Sequence, residues 1–199
     1  MAIQPGEGHA AAWQHFLSGS REAFAALYAS FAPLLYNYGC KECADRRLVE
    51  DCIQDVFEYL LSHRTQLSPV TNVKAYLLKA YRRALLRKIG NMRKNIPVAL
   101  TDEARFEIVI SPEIRLIGRQ SSLRRREKVK DALNALPPRM KEALFLRFYE
   151  NLSFEDIAAI MEIDQKSVYK MIYKALDKLR RQLADFPLWA LVCYLLLKP

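Results

Sequence analysis

Nothing at the start of the chain marks it for export. Residues 1–16 carry no basic cluster and no long apolar run, so a secretory signal is not expected there. Nowhere does an apolar stretch reach the ~20 residues that a membrane helix needs. The chain therefore reads as cytoplasmic, with no stable membrane insertion. Cysteine is scarce: Cys40, Cys43, Cys52 and Cys193. Cys40 and Cys43 make a lone C-x-x-C with no second pair and no histidine close in sequence. Even with Cys52 as a third ligand, a zinc site would lack its fourth, so reduced, buried thiols are expected. The nucleophile elbow, the phosphate loop and metal-ligand constellations are also missing. The expectation is a non-enzyme without cofactor or metal. Acids are the minority, 22 against 31 Lys and Arg, for a formal net charge of +9. That excess suits a polyanion, either nucleic acid or an acidic membrane surface.

What is present is helical periodicity. With 199 residues and 51% apolar content, the chain can build one large or two small domains. The stretch 136–183 reads as three short helices. Pro137 and Pro138 open the first, where a missing N–H does no harm. Met140, Leu144 and Phe148 then recur at helical spacing. Asn151 and Leu152 break the pattern, and Ser153 with Asp156 forms a weak capping box for a second helix ending near Met161. Glu162, Ile163 and Asp164 make a three-residue turn into a third helix from about Gln165 past Lys178. Two helices so joined form a helix-turn-helix. Ala158 is small where they cross, and Ile157, Ile163, Val168 and Ile172 supply a shared core. Lys166, Ser167, Lys170, Lys174 and Lys178 fall on one outer face, which suits a major groove. Lys166 and Lys170 are placed to read bases, and Lys174 and Lys178 to touch phosphate.

The N-terminal half has a different charge pattern. A short helix over 9–17 precedes an aromatic stripe from Phe24 to Tyr38, read as core. Leu48 to Ser62 forms a helix with four acids and no base, and its outer face carries Asp51, Gln54, Asp55 and Glu58. Clustered acids repel, so such a stripe in a basic chain suggests a basic partner surface. Residues 63–73 form a loop in which Asn72 is placed to cap the next helix, one of two readings of that residue. Lys74 to Lys94 then holds eight bases and no acid. Lys79, Arg82, Arg83 and Arg87 gather opposite Leu77, Leu78, Tyr81, Leu85 and Ile89, with Tyr76 and Tyr81 interleaved. Cations that track phosphate, with rings that stack on bases, suit a single strand. Residues 95–118 read as a linker with Pro97, Pro112 and four acids. Phe106 to Ile110 could form a short strand or a partner-binding segment within it. After Leu183, Leu188 to Leu197 is ten apolar or aromatic residues, too short to span a bilayer. It reads as a helix folded back on the second domain or, if exposed, a partner site.

These motifs resemble a known family. LPPR, LRFYENLSFEDIAAIM and SVYKMIYKALDKLR resemble region 4 of the sigma-70 family, in its extracytoplasmic-function (ECF) group. EDCIQDVF resembles the core of sigma region 2, and KAYLLKAYRRALLRK follows that region's next helix more loosely. The resemblance implies an all-α fold of two small helical domains. Region 2 would span residues 1–94, a linker 95–118, region 4 residues 119–185, and an apolar tail 186–199. It implies binding to core RNA polymerase, through the beta-prime clamp helices and the beta flap, and to promoter DNA. Asp51, Gln54, Asp55 and Glu58 would face the clamp. Asn72, Tyr76, Lys79, Arg82, Arg83 and Arg87 would serve the minus-ten element, where the loop captures a flipped base. Lys166, Ser167, Lys170, Lys174 and Lys178 would serve the minus-thirty-five element. An anti-sigma factor or another recruiting partner would control it. The sequence departs from the pattern at Glu162, usually Gly, at Tyr169 and Met171, usually basic, and at Tyr76, Arg83 and Arg87, usually Trp, Asn and Asp. The alternative functions are a helix-turn-helix regulator that is not a polymerase subunit and a basic membrane-surface or adaptor protein.

Overall fold

A computed structural model describes residues 5–94, 106–107 and 121–183 of the chain. Among these residues the regular structure is all helical. The chain divides into two compact units, Met1–Glu103 and Ala104–Pro199, with the division inside the 95–118 stretch. Most of that stretch, and the apolar run from Leu188 with Cys193, lies outside the described residues. Among the described residues no helix is long and apolar enough to cross a membrane.

Unit 1 packs four helices: α1 (Pro5–Leu17), α2 (Arg21–Glu42), α3 (Arg46–Ser62) and α4 (Val73–Lys94). Each of the last three starts on a polar cap. The Ala23 N–H donates to Ser20 Oγ (3.0 Å), the Arg47 and Leu48 N–H groups donate to Asp45 Oδ1 (3.0 and 3.2 Å), and the Ala75 N–H donates to Asn72 Oδ1 (3.1 Å). Such caps satisfy donors that the helix itself leaves orphaned. Because Asp45 is the cap, α3 begins two residues earlier than the acid-rich pattern suggested and takes Arg46 and Arg47 into its first turn. The core is aromatic and aliphatic: Trp13, Phe16, Phe31 and Tyr38 meet Val49, Ile53, Val56, Phe57, Leu60, Leu77, Leu78 and Leu85. Tyr81, also buried, meets Tyr38 edge-on (6.2 Å) and donates its hydroxyl to the Val49 carbonyl (3.4 Å). That hydroxyl sits where a Cβ on Gly39 would be, so a side chain at 39 would displace it.

Unit 2 comprises α5 (Ser121–Asn134), α6 (Pro138–Leu144), α7 (Phe154–Met161) and α8 (Gln165–Gln182). After α6 the chain widens into a π turn over Phe145–Tyr149. The Glu150 N–H reaches back to the Phe145 carbonyl (3.1 Å) and the Leu152 N–H to the Leu146 carbonyl (3.1 Å). The sequence pattern had continued an ordinary helix to Phe148. Leu144, Leu146, Ile157, Ile160, Met161, Val168, Ile172, Ala175 and Leu179 form the core. Phe106, in the expected linker, is fully buried and stacks obliquely on Phe145 (5.5 Å). Next to it, the Glu107 carboxylate acts on Lys141: burial lowers the pKa of that ammonium, and the nearby negative charge opposes the shift.

Candidate nucleic-acid and polymerase interfaces

On α3 the apolar side faces the core, and Asp51, Gln54, Asp55 and Glu58 are all exposed. They are not equivalent. Asp51, Gln54 and Glu58 recur at three and four residues, on one outward row. Asp55 lies on the flank nearest α4, where its Oδ2 pairs with Lys88 Nζ at 2.5 Å. That carboxylate is engaged within unit 1, so its charge is partly neutralised. Beside the row, Tyr28, Pro33, Tyr36, Glu50, Ile53 and Gln54 line an open groove of about 310 Å³ between α2 and α3.

The loop between α3 and α4 is tied to α1. Trp13 Nε1 donates to the Ser68 carbonyl (3.1 Å), and the Trp13 ring meets Tyr76 edge-on (5.1 Å). Arg64 lies over Gly19, whose φ of +107° and lack of a Cβ leave room for it. Tyr59 stacks on His63 (4.1 Å) at the loop's start. Asn72 caps α4 through its Oδ1, as one of its two readings expected. Tyr76 is half-buried, and that burial raises the pKa of its phenol. One edge of the ring is thus held by Trp13, and the rest remains at the surface.

Along α4, Tyr76, Lys79, Arg83 and Arg87 form one stripe at three- and four-residue spacing. Arg82 departs from the expectation: it is 8% exposed, on the side of Leu78 and Leu85. A window rich in arginine conceals this, because the centre of the buried face is fixed by Tyr81, not by the charges. Cys52 is buried, and burial pushes its thiol up to about 11. Burial likewise raises the Cys43 thiol. Among the described residues no three side chains of His, Cys, Asp or Glu come together to hold a metal ion.

In unit 2 the turn between α7 and α8 is the expected Glu162–Asp164, and α7 carries a complete capping box. The Asp156 N–H donates to Ser153 Oγ (3.0 Å), and the Ser153 N–H donates to Asp156 Oδ2 (3.4 Å). Glu162 ends α7 in the left-handed region, φ 56° and ψ 47°. Asp164 then caps α8, accepting from the Ser167 N–H (2.8 Å) and from Ser167 Oγ (2.5 Å). The Ser167 side chain thus serves the cap as well as the outer face. Those two bonds, the hydroxyl's first, hold the Asp164 carboxyl below its ordinary value. Lys166, Lys170, Lys174 and Lys178 are exposed opposite buried Val168, Ile172, Ala175 and Leu179. Lys170 lies at the centre of the outer face, and Lys178 lies at its margin. Sequence reasoning left two residues of this face out: Tyr169 and Tyr173, 51% and 74% exposed. Their signal was available in the helical spacing, since Tyr173 follows Lys166 by seven residues and Lys170 by three.

Comparison with known proteins places both units. A family model described as Sigma-70 region 2 matches residues 27–94, and one described as Sigma-70, region 4 matches residues 126–179. RNA polymerase sigma factor CarQ of Myxococcus xanthus is 26% identical over 175 residues, spanning 88% of this chain and 97% of that protein. RNA polymerase sigma factor SigV of Bacillus subtilis (strain 168) is 26% identical over 133 residues, 67% of this chain and 74% of that one. Two solved structures share the fold. CnrH, in complex with the cytosolic domain of CnrY, matches with a TM-score of 0.58 at 18% identity, over 90% of this chain and 99% of that one. Sigma factor RpoE of Bartonella quintana, in complex with the anti-sigma factor NepR, matches with 0.57 at 20% identity, over 81% and 96%. With a region 2 match in unit 1, a region 4 match in unit 2, and more than half of the chain covered by the two, the protein belongs to the sigma-70 family of RNA polymerase sigma factors, in its ECF group, and acts in promoter-directed transcription initiation.

Proposed function

We propose that unit 1 docks the Asp51, Gln54 and Glu58 row of α3 on the beta-prime clamp helices of core polymerase. The α4 stripe of Tyr76, Lys79, Arg83 and Arg87 tracks the opened minus-ten strand, and α8 enters the major groove of the minus-thirty-five element. The observation that carries this reading is charge of opposite sign on two helices of one chain. The α3 row is acidic although the chain is +9 overall, whereas α8 exposes four lysines on its outer side. An acidic row matches a basic protein surface and repels DNA, and a lysine row does the reverse. The chain itself performs no chemistry: it binds, positions and helps to open DNA in the cytoplasm, where the polymerase works. Because CnrH and RpoE were both solved with a bound partner, a protein that covers these faces is the proposed form of control.

The test is to add the purified full chain to bacterial core polymerase and map transcripts from a promoter library. Promoter-specific transcripts with wild type, and an altered minus-thirty-five preference with Lys170→Ala or Lys166→Ala, are expected. Loss of one base-reading side chain should cost about 1–3 kcal/mol at one or two positions. Tight duplex binding without polymerase, together with no transcripts when polymerase is present, would sink the proposal in favour of a free-standing regulator.

A further inference from the structure

Tyr169 and Tyr173 lie one helical turn apart on α8, beside Lys166, Lys170 and Lys174; Tyr169 is half exposed and Tyr173 largely in solvent. An exposed pair of large rings with no core to fill marks a contact surface. Tyr169 is not loose. Its ring lies parallel on Phe154, with centroids 3.8 Å apart and planes 15° apart. The Arg147 guanidinium lies over the same Phe154 ring at 4.7 Å, and Arg147 Nη1 donates to the Leu152 carbonyl (2.7 Å). The stack runs from the π turn through the first residue of α7 to the second turn of α8. It fixes the direction of Tyr169 before any ligand arrives.

The surface combines two properties. Three lysines call for a polyanion, and two rings call for apolar surface within it. In the major groove the apolar feature on a base pair is the C5-methyl of thymine. We propose that Tyr169 and Tyr173 read thymine methyl groups in the minus-thirty-five element, with Phe154 and Arg147 as positioning residues for Tyr169. This rests on the reading that α8 enters the groove there. The lysines supply attraction to phosphate and donors to base edges. The tyrosines supply preference for thymine, and the stack reduces the ordering needed on binding.

The test uses the full chain assembled with core polymerase and a promoter selected by wild type from a library randomised at the minus-thirty-five element. Each thymine there is replaced in turn by deoxyuracil, which removes the methyl group and leaves the hydrogen-bonding edge intact. Wild type should bind about fourfold more weakly at one or two positions, the worth of roughly one buried carbon. Tyr173→Ala and Tyr169→Ala should each abolish the sensitivity at one position, whereas Tyr169→Phe should retain it. Phe154→Leu should blunt the Tyr169 position and leave the Tyr173 position unchanged, a pattern that general loss of stability would not give. Deoxyuracil tolerated by wild type at every position overturns the proposal. So does a sensitivity that survives both alanine substitutions, or one lost in Tyr169→Phe. Lys170→Ala separates the two levels of inference. If it shifts base preference while deoxyuracil is silent, only the thymine assignment falls. If it too is silent, the placement of α8 in the groove falls with it.

Discussion

Glu162 has a Cβ in a backbone region that only glycine enters freely, at φ 56°. The strain of a left-handed L-residue is about 1–2 kcal/mol, part of which glycine returns as unfolded-state entropy. Glu162→Gly should therefore stabilise unit 2 by about 1 kcal/mol and raise its thermal midpoint by about 4–8 °C, as expected for a domain of this size. A midpoint that stays put or falls in a thermal unfolding scan of the full chain would show that the turn is unstrained. That position 162 wants a special residue was legible only through the family resemblance, which has glycine there. Other residue roles were not readable, because they depend on partners far away in sequence. Asp55 looked like one more acid on a row until Lys88 was placed beside it. Arg82 looked like one more cation until the fold buried it. Ser167 looked like one more member of the outer row until Asp164 was found to accept its hydroxyl. In each case the spacing was right and the neighbour was missing.

Elements were more legible than residues, since caps and periodicity are local. Ser20, Asn72 and Ser153 start helices where the sequence has good capping residues. The π turn was not legible, because a change in hydrogen-bond register leaves no mark on apolar spacing. Asp164 gives the helix-turn-helix a measurable pH response. Its folded pKa lies below the ordinary 3.8 because the carboxylate accepts two bonds from Ser167. A depressed folded pKa means that the cap's contribution is complete above the unfolded value and is lost as pH falls through the lower, folded value. Asp164→Asn keeps the cap without the ionisation. Acid titration of unit 2 stability should therefore be flatter in this variant below about pH 4. Identical acid limbs would refute a role for the Asp164 charge. The same reasoning at α1 makes Trp13 the loop's tether. Trp13→Phe removes the donor to the Ser68 carbonyl and should cost about 1 kcal/mol in a urea titration, since one hydrogen bond is worth that order.

For the whole molecule, two motif blocks in order were enough to foresee two helical units, and the division at Glu103 falls within the stretch that separates those blocks. The extent of the second unit was harder to see. Phe106 reads as a stray apolar residue in a proline- and acid-containing connector, and only the buried face around Phe145 shows what holds it. The placement of opposite charges in different units has a consequence that neither unit has alone. Reversing the acidic row, with Asp51→Lys and Glu58→Lys, adds charge of +4 to a chain already at +9. Were α3 a DNA-facing helix, that change would strengthen promoter binding and steepen its salt dependence. On the clamp assignment it does the opposite, because like charges then face each other across a protein interface. Assembly with core polymerase should fall sharply, and transcription should be lost at all promoters alike, with no change in base preference. Both positions are exposed and the apolar side of α3 is untouched, so helical content should stay that of wild type. Lys178→Ala provides the contrasting case. It should leave core assembly intact, weaken promoters of every sequence together, and lower the salt slope by about one unit. A charge-reversed α3 with native helicity and wild-type affinity for core polymerase would remove the clamp from this helix, whatever α8 does.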